Sequence, residues 1–236
     1  GAEVGDEPLM SYKRTGVPVV VDPDRVRAVK ELISHHECDV VVSDDGLQHY
    51  ALGRAIEIVV IDGVRGLGNG LCLPAGPLRE PVSRLEEVDL VVINGEHSVP
   101  RLGNAANSSM MQLKPVRLVN MTTGDGKPAD SLGGKTVHAV AGISHPERFF
   151  NTLNSLGIVV IPHEFPDHHA FTIEDVNFDD NIPVVMTEKD AVKLDIPGLP
   201  EGLYWYLEVE ACFDLAKIDA LLNKAGIEKI KRTTGG

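Results

Sequence analysis

Residues 40–50 read Val40-Val41-Val42-Ser43-Asp44-Asp45-Gly46-Leu47-Gln48-His49-Tyr50. Consecutive β-branched residues suit a strand buried on both faces, as in the middle of a parallel sheet. The run stops at two adjacent carboxylates and a glycine. In open α/β sheets, ligands bind just beyond the carboxyl ends of the strands. Asp44 and Asp45 therefore stand where a Walker-B-like Mg²⁺ ligand is expected. Asp-Asp-Gly also serves simply to turn a chain after a strand, and those three residues alone leave both readings open. Gln48 and His49 keep polar chemistry at the same strand end.

The surroundings extend the pattern in both directions. Upstream, Val17–Val21 reads as a short strand, Asp22-Pro23 as a helix start, and Val26, Val29, Leu32 and Ile33 as one apolar helical face. Strand, helix and strand at this length make a βαβ unit. Downstream, Ala55–Asp62 and Val88–Asn94 read as strands. Between them, the glycines and prolines of Gly63–Pro81 forbid a regular element, and so long a loop at a strand end is more often functional than filler. Glu96–Met111 reads as a surface connection, Gln112–Met121 as a strand and Thr122–Lys135 as a domain boundary. A second alternation follows. Its strands are Val137–Ile143, Ile158–Ile161, Pro183–Met186 and Leu203–Val209. Its helical segments are His145–Leu156, Thr172–Val176, Glu188–Leu194 and Phe213–Ala225. The tail Lys229–Gly236 is polar. The fold class is α/β, with a mostly parallel sheet and flanking helices.

Composition bounds the function. The chain has 236 residues, 43% hydrophobic and 24% charged, which suits an α/β protein. A formal net charge of −13 argues against nucleic-acid partners, while leaving room for a local basic pocket that takes a phosphorylated substrate. Cys38, Cys72 and Cys212 lack the spacing of a disulfide framework, which points to a reducing compartment. No run of about 18 apolar residues offers a membrane span.

Several constellations carry chemistry, each beside a plainer reading. Asp167-His168-His169 follows a strand; a carboxylate beside a histidine tunes a general base or holds a phosphate, although loop histidines are usually solvated. Arg79-Glu80 lies in the long loop, where Arg suits phosphate oxygens and Glu a metal, the plain alternative being a surface ion pair. Gly66-Leu67-Gly68-Asn69-Gly70 opens no helix and is not a dinucleotide fingerprint. His35-His36-Glu37-Cys38 cannot aim adjacent side chains at one tetrahedral metal and reads as structural. Asp6 and Glu7 suit the first turn of a helix. Glu188-Lys189-Asp190 reads as a helix start with surface charges.

Taken together, the motifs resemble the tetraacyldisaccharide 4'-kinase family, the lipid A kinases. The resemblance rests on Val4-Gly5-Asp6-Glu7-Pro8, Ser43 to His49, Asn69 to Pro81, Phe165 to His169, and Thr187 to Lys193, which in this order cover nearly the whole chain. It implies γ-phosphoryl transfer from ATP, with Mg²⁺, to the 4'-hydroxyl of a lipid A disaccharide precursor, at the cytoplasmic face of the bacterial inner membrane. It implies a P-loop-kinase-like core over residues 1–111, a hairpin linker over 112–135 and a smaller α/β domain over 136–236. By matching motif, Asp6 becomes the base near the acceptor hydroxyl and His168 its partner. Asp44, Asp45 and Glu80 fall on the metal, Gln48, His49 and Arg79 on the nucleotide, and Arg25 on a substrate phosphate. The family's Gly-x-x-x-x-Gly-Lys-Ser/Thr loop is not in these 236 residues. The resemblance therefore implies an N-terminally truncated fragment, inactive by itself, with the membrane-associating segment also upstream. Another P-loop ATPase, or a non-catalytic glycolipid- or nucleotide-binding module, are the alternatives.

Overall fold

The computed structural model describes residues 5–95, 107–194 and 199–227. Val4, most of the Glu96–Met111 connection and the tail Lys229–Gly236 lie outside the described residues. The chain forms two compact units, one of Gly1–Val41 with Pro115–Glu210 and one of Val42–Lys114 with Ala211–Gly236. This division interleaves the chain and departs from the boundaries expected at 111 and 135. Its cause is local: helix α1 (Asp6–Thr15) packs on helix α5 (Glu188–Ala191), which ties the first residues to the late ones.

In the first unit, β5 (Thr136–Ala141) lies between β6 (Val159–Glu164) and β7 (Val184–Thr187), and β7 pairs with β8 (Tyr204–Phe213), all parallel. The register places His138 beside both Ile161 and Val184. The end of β3 (Ser108–Asn120) makes an antiparallel hairpin with β4 (Gly126–Pro128), inside the stretch read as a boundary. Residues on a strand alternate between faces, and here both faces are covered. Val137, Ala139 and Ala141 pack with Phe149, Phe150 and Leu153 of α3 (Pro146–Ser155), while Val140 packs with Val176, Val184, Met186 and Tyr204. This is why the strands read as nearly continuous apolar runs. Pro146 occupies the first turn of α3, where its missing N–H costs nothing.

In the second unit, β1 (Ile58–Asp62), β2 (Leu90–Asn94) and the start of β3 run parallel. Ile61, Val88, Val91 and Ile93 form its core with Leu47, Leu67 and Leu85 around them. A 3-10 turn at Val82–Glu86 leads into β2.

Two expected strands do not form. Val17–Val21 and Val40–Val42 are irregular, and Val42 is 90% exposed. A strand needs neighbours to satisfy its backbone N–H and C=O groups, and among the described residues no strand pairs with either run. The helix between them does form, as α2 (Arg25–His35), but its N-cap is Asp24, whose carboxylate accepts from the N–H groups of Val26 and Arg27 at 3.0 and 3.1 Å. Asp22 instead binds the Arg27 guanidinium.

Candidate active site

The carboxyl ends of β5, β6 and β7 converge on one cluster, the edge where parallel sheets hold their ligands. β5 is followed by Gly142 and Ser144, β6 by Asp167 and His168, and β7 by α5 and Lys193. Asp190 is fully buried, and its Oδ2 accepts from the Gly142 N–H at 2.9 Å and the Thr187 hydroxyl at 2.7 Å. Thr187 is also the N-cap of α5 and accepts from the Asp190 N–H. Glycine leaves Gly142 room here: a Cβ would stand 3.1 Å from the Phe171 ring and 3.2 Å from the Pro166 carbonyl, tighter than an ordinary contact.

Onto this platform α1 brings Asp6. The helix is capped by Gly5, whose φ of 84° suits glycine, and acidic residues in a first turn favour the helix dipole. Asp6 Oδ2 stands 3.1 Å from His168 Nδ1 and 3.6 Å from Lys193 Nζ. Lys193 in turn lies 2.8 Å from Asp190 Oδ1. Glu7 pairs with Lys189 at 3.1 Å, and Lys189 also faces Asp167 at 3.8 Å. Asp6 is 17% exposed at its side chain and His168 65%, so the imidazole approaches the carboxylate from the solvent side. His168 has φ 61°, a left-handed conformation uncommon outside glycine, and this turn is what aims its ring at α1.

The local charges act on one another. The Ser144 hydroxyl donates to Asp167 at 2.5 Å and holds that carboxyl below the usual range, with the Lys189 and His168 charges acting the same way. Burial would lower Lys189, but its hydrogen bond to Glu7 and the charges of Glu7, Asp167 and Asp6 outweigh that, so it is raised. A partly shielded carboxylate, an imidazole on its outer side and two ammonium groups can take a proton from a hydroxyl and neutralise phosphate charge.

The second unit holds its own cluster. Gln48 Nε2 donates to Glu80 Oε1 at 2.8 Å, and the Tyr50 hydroxyl donates to Glu80 Oε2. Arg84 Nε adds a contact at 3.5 Å. The Tyr50 and Gln48 hydrogen bonds, with the Arg84 charge, keep the Glu80 carboxyl low. The glycine- and proline-rich loop is ordered by its own backbone bonds, Leu73 N–H to Leu78 C=O at 2.8 Å and Leu78 N–H to Leu71 C=O at 3.1 Å, and by Asn69 donating to Ala75 C=O. It delivers Glu80 to the Gln48 segment, and Arg79 beside it is exposed. Asp44 and Asp45 are exposed, in a turn where Asp44 accepts from the Asp45 N–H and Asp45 has φ 49°. His49 is half-buried, its N–H on Gly46 C=O. Glu80, expected on the metal, accepts one hydrogen bond at each of its oxygens within the protein.

The remaining candidates separate. His169 turns inward, between Phe165 and Phe171, and binds Asp175, which caps the short helix Ile173–Val176. Among the described residues Arg25 donates a hydrogen bond only to the Asp22 carbonyl of its own turn, and its buried Nε has no hydrogen-bond partner. His35 closes the last turn of α2 on Glu31, and among the described residues no group of three or more His, Cys, Asp or Glu could hold a metal. Sequence reasoning gave Lys189, Asp190 and Lys193 no role in the site: Glu188-Lys189-Asp190 reads as a helix start with surface charges, and Lys193 only closes the Thr187 to Lys193 motif. The signal was the Thr187 cap followed by Asp190 and Lys193 directly after a buried strand.

The fold and site define an α/β protein whose parallel strand ends hold a carboxylate–imidazole pair. Comparison with known proteins agrees. Residues 1–226 match the family model LpxK, tetraacyldisaccharide-1-P 4'-kinase. The tetraacyldisaccharide 4'-kinase of Hahella chejuensis is 50% identical over 223 residues, covering 93% of this chain and 64% of that protein. That of Alkalilimnicola ehrlichii is 54% identical over 210 residues, covering 89% of this chain and 61% of that protein. The crystal structure of "apo" form LpxK from Aquifex aeolicus in complex with ATP superposes with a TM-score of 0.73 at 24% identity, covering 94% of this chain and 69% of that one. It shares the fold. The chain belongs to the tetraacyldisaccharide-1-P 4'-kinase family. It spans about three-fifths of the length of the curated relatives it matches.

Proposed function

We propose that this chain works in the ATP-dependent phosphorylation of the 4'-hydroxyl of a tetraacyldisaccharide 1-phosphate, a step of lipid A biosynthesis. The observation that carries the reading is the 3.1 Å contact between Asp6 and His168, residues 162 positions apart in the sequence. Asp6 takes the proton of the acceptor hydroxyl as its oxygen bonds to the γ-phosphorus and ADP departs. His168 orients the carboxylate and shares its charge. Lys189 and Lys193 supply positive charge beside the reacting groups, the kind of stabilisation phosphoryl transfer depends on.

On the nucleotide side, Gln48, His49 and Arg79 are the residues proposed to meet ATP. Asp44 and Asp45 offer exposed hard oxygens, the donors Mg²⁺ takes alongside waters and phosphates, and they fit that ion as the proposed ligands. When bound, Mg²⁺ neutralises charge on the phosphates. Arg25 stays a candidate for a substrate phosphate through its unpartnered Nε. The proposed setting is the cytoplasmic face of the inner membrane, where such a lipid precursor is held; among the described residues no helix is long and apolar enough to cross a membrane.

The 236 residues contain no Gly-x-x-x-x-Gly-Lys-Ser/Thr loop, so turnover is expected only when one is supplied. The test fuses the part of the Hahella chejuensis relative that precedes its matched region to this chain. Transfer of labelled phosphate from ATP to tetraacyldisaccharide 1-phosphate is then measured. Turnover that disappears in Asp6→Ala while ATP binding persists is the expected result. Turnover unchanged in Asp6→Ala overturns the assigned base. ATP hydrolysis indifferent to the lipid favours another P-loop ATPase, and lipid or ATP binding without transfer favours a binding module.

A further inference from the structure

Two adjacent acidic residues on the first turn of α1, Asp6 and Glu7, face two lysines one helical turn apart, Lys193 and Lys189. The two pairs are not equivalent. Glu7 is 55% exposed and Lys189 21%, whereas Asp6 is 17% exposed and Lys193 only 10%. Lys193 is the inner member, and everything around it is fixed. Its ammonium lies 2.8 Å from Asp190, 3.6 Å from Asp6 and 5.3 Å from the centre of the Phe171 ring. Asp190 is itself anchored to the Gly142 N–H and the Thr187 hydroxyl. Yet among the described residues neither Lys193 Nζ nor Asp190 Oδ1 has an aligned hydrogen bond. The ammonium is therefore held by charge between two carboxylates, with donor capacity that Asp190 does not use.

We propose that Lys193 is a positioning residue for Asp6: a buried cation, locked on Asp190, that holds the Asp6 carboxylate in the orientation the acceptor hydroxyl needs. Lys193 and His168 both meet Oδ2 of Asp6, one from the protein interior and one from solvent, and among the described residues no hydrogen bond reaches Oδ1. Oδ1 is the oxygen left for the hydroxyl. The line Gly142–Asp190–Lys193–Asp6–His168 ties α1 to the ends of β5, β6 and β7, so the reacting carboxylate is fixed to the sheet and not merely to its own helix. Among the described residues the charged groups facing it are His168, Lys193, Glu7, Lys189, Asp167 and Asp190, and of these Lys193 alone links Asp6 to the buried carboxylate. This inference rests on the reading of Asp6 as the base, and the experiment separates the two.

The test uses the whole 236-residue chain and the imidazole nitrogen NMR signals of His168. Asp6→Asn, Lys193→Met, Lys193→Arg and Lys189→Met are compared with the parent chain. Asp6→Asn is expected to move the His168 signals. Lys193→Met is expected to move them in the same direction, Lys193→Arg to bring them back, and Lys189→Met to leave them near the parent position. If Asp6→Asn leaves the signals in place, the Asp6–His168 pair itself fails. If Asp6→Asn moves them and Lys193→Met does not, only the role of Lys193 fails. Should Lys193→Met not fold, Lys193→Gln, which drops the charge and keeps a polar N–H donor, carries the same comparison. In the fusion described above, Lys193→Met is expected to lower kcat on the order of 100-fold, as for a misplaced reacting group, with KM for ATP unchanged and Lys193→Arg partly restoring the rate. A change in KM for ATP with kcat intact overturns the proposal.

Discussion

Replacing Asp190 with asparagine keeps the shape of the side chain and removes its charge. The residue is fully buried, and Lys193 opposite it is 10% exposed at its side chain. Breaking a buried ion pair by removing one partner costs about 3–5 kcal/mol, because the surviving charge stays buried without compensation. Asparagine still offers one oxygen to the Gly142 N–H, and Asp6 lies 3.6 Å from the stranded ammonium, so the cost should fall near ~3 kcal/mol. For a chain of this size that corresponds to a Tm lower by roughly 6–12 °C. The assay is urea unfolding followed by tryptophan fluorescence. Trp205, the only tryptophan, lies in β8 in the same unit, so its signal reports this unit and not the other. The double variant Asp190→Asn with Lys193→Met removes both charges and should recover part of the loss, which a double-mutant cycle measures. A loss under about 1 kcal/mol, or a double variant no more stable than Asp190→Asn alone, would refute the reasoning, since surface pairs are worth that little.

Three further outcomes follow from other parts of the structure. His163 has its pKa lowered by burial and by the neighbouring His138, so the unfolded chain takes up its proton first; stability is complete above the ordinary histidine value near 6.5 and falls as pH drops through it toward the lower folded value. Urea midpoints measured at pH 7.5 and 5.5 should show that fall, and His163→Asn should flatten it. Asp45 sits at φ 49°, where glycine is at ease, so Asp45→Gly keeps the turn while deleting the carboxylate; the unit's stability should be unchanged while kinase turnover in the fusion falls by about 100-fold or more, and full turnover would leave Asp45 a turn residue only. Gly142→Ala drives a methyl into Phe171 and the Pro166 carbonyl, and should cost about 1–3 kcal/mol in thermal unfolding, as overpacking does.

The second half of the fold was legible because its strands are short, apolar and buried on both faces, and its helices show one apolar side. Val184–Thr187 and Pro146–Ser155 fall where periodicity puts them. The runs Val17–Val21 and Val40–Val42 have the same composition, yet they form no strand. β-propensity describes a residue that fits a pleated, half-buried surface; it cannot create the neighbouring strand whose backbone would complete the ladder. Their exposed valines show the difference between a segment suited to a sheet and one placed in a sheet.

The site divides along a similar line. Asp6 and His168 were found through motifs, and each is the kind of residue whose chemistry is conspicuous in a loop or at a helix start. Gln48 and Glu80 were also named, and the structure joins them at 2.8 Å. Lys189, Asp190 and Lys193 escaped because local spacing gives them a sufficient surface explanation. Thr187 followed by Asp190 is an N-terminal cap pattern, and Asp190 with Lys193 is an ordinary helical ion pair. What converts the same spacing into a buried platform is a partner from far away, the Gly142 N–H at the end of β5, together with α1 closing over Lys193. Neither partner leaves a mark on residues 187–193 themselves. A carboxylate that completes a backbone N–H at the end of a neighbouring strand is a tertiary fact. It is also the fact that lets a buried lysine reach the proposed base.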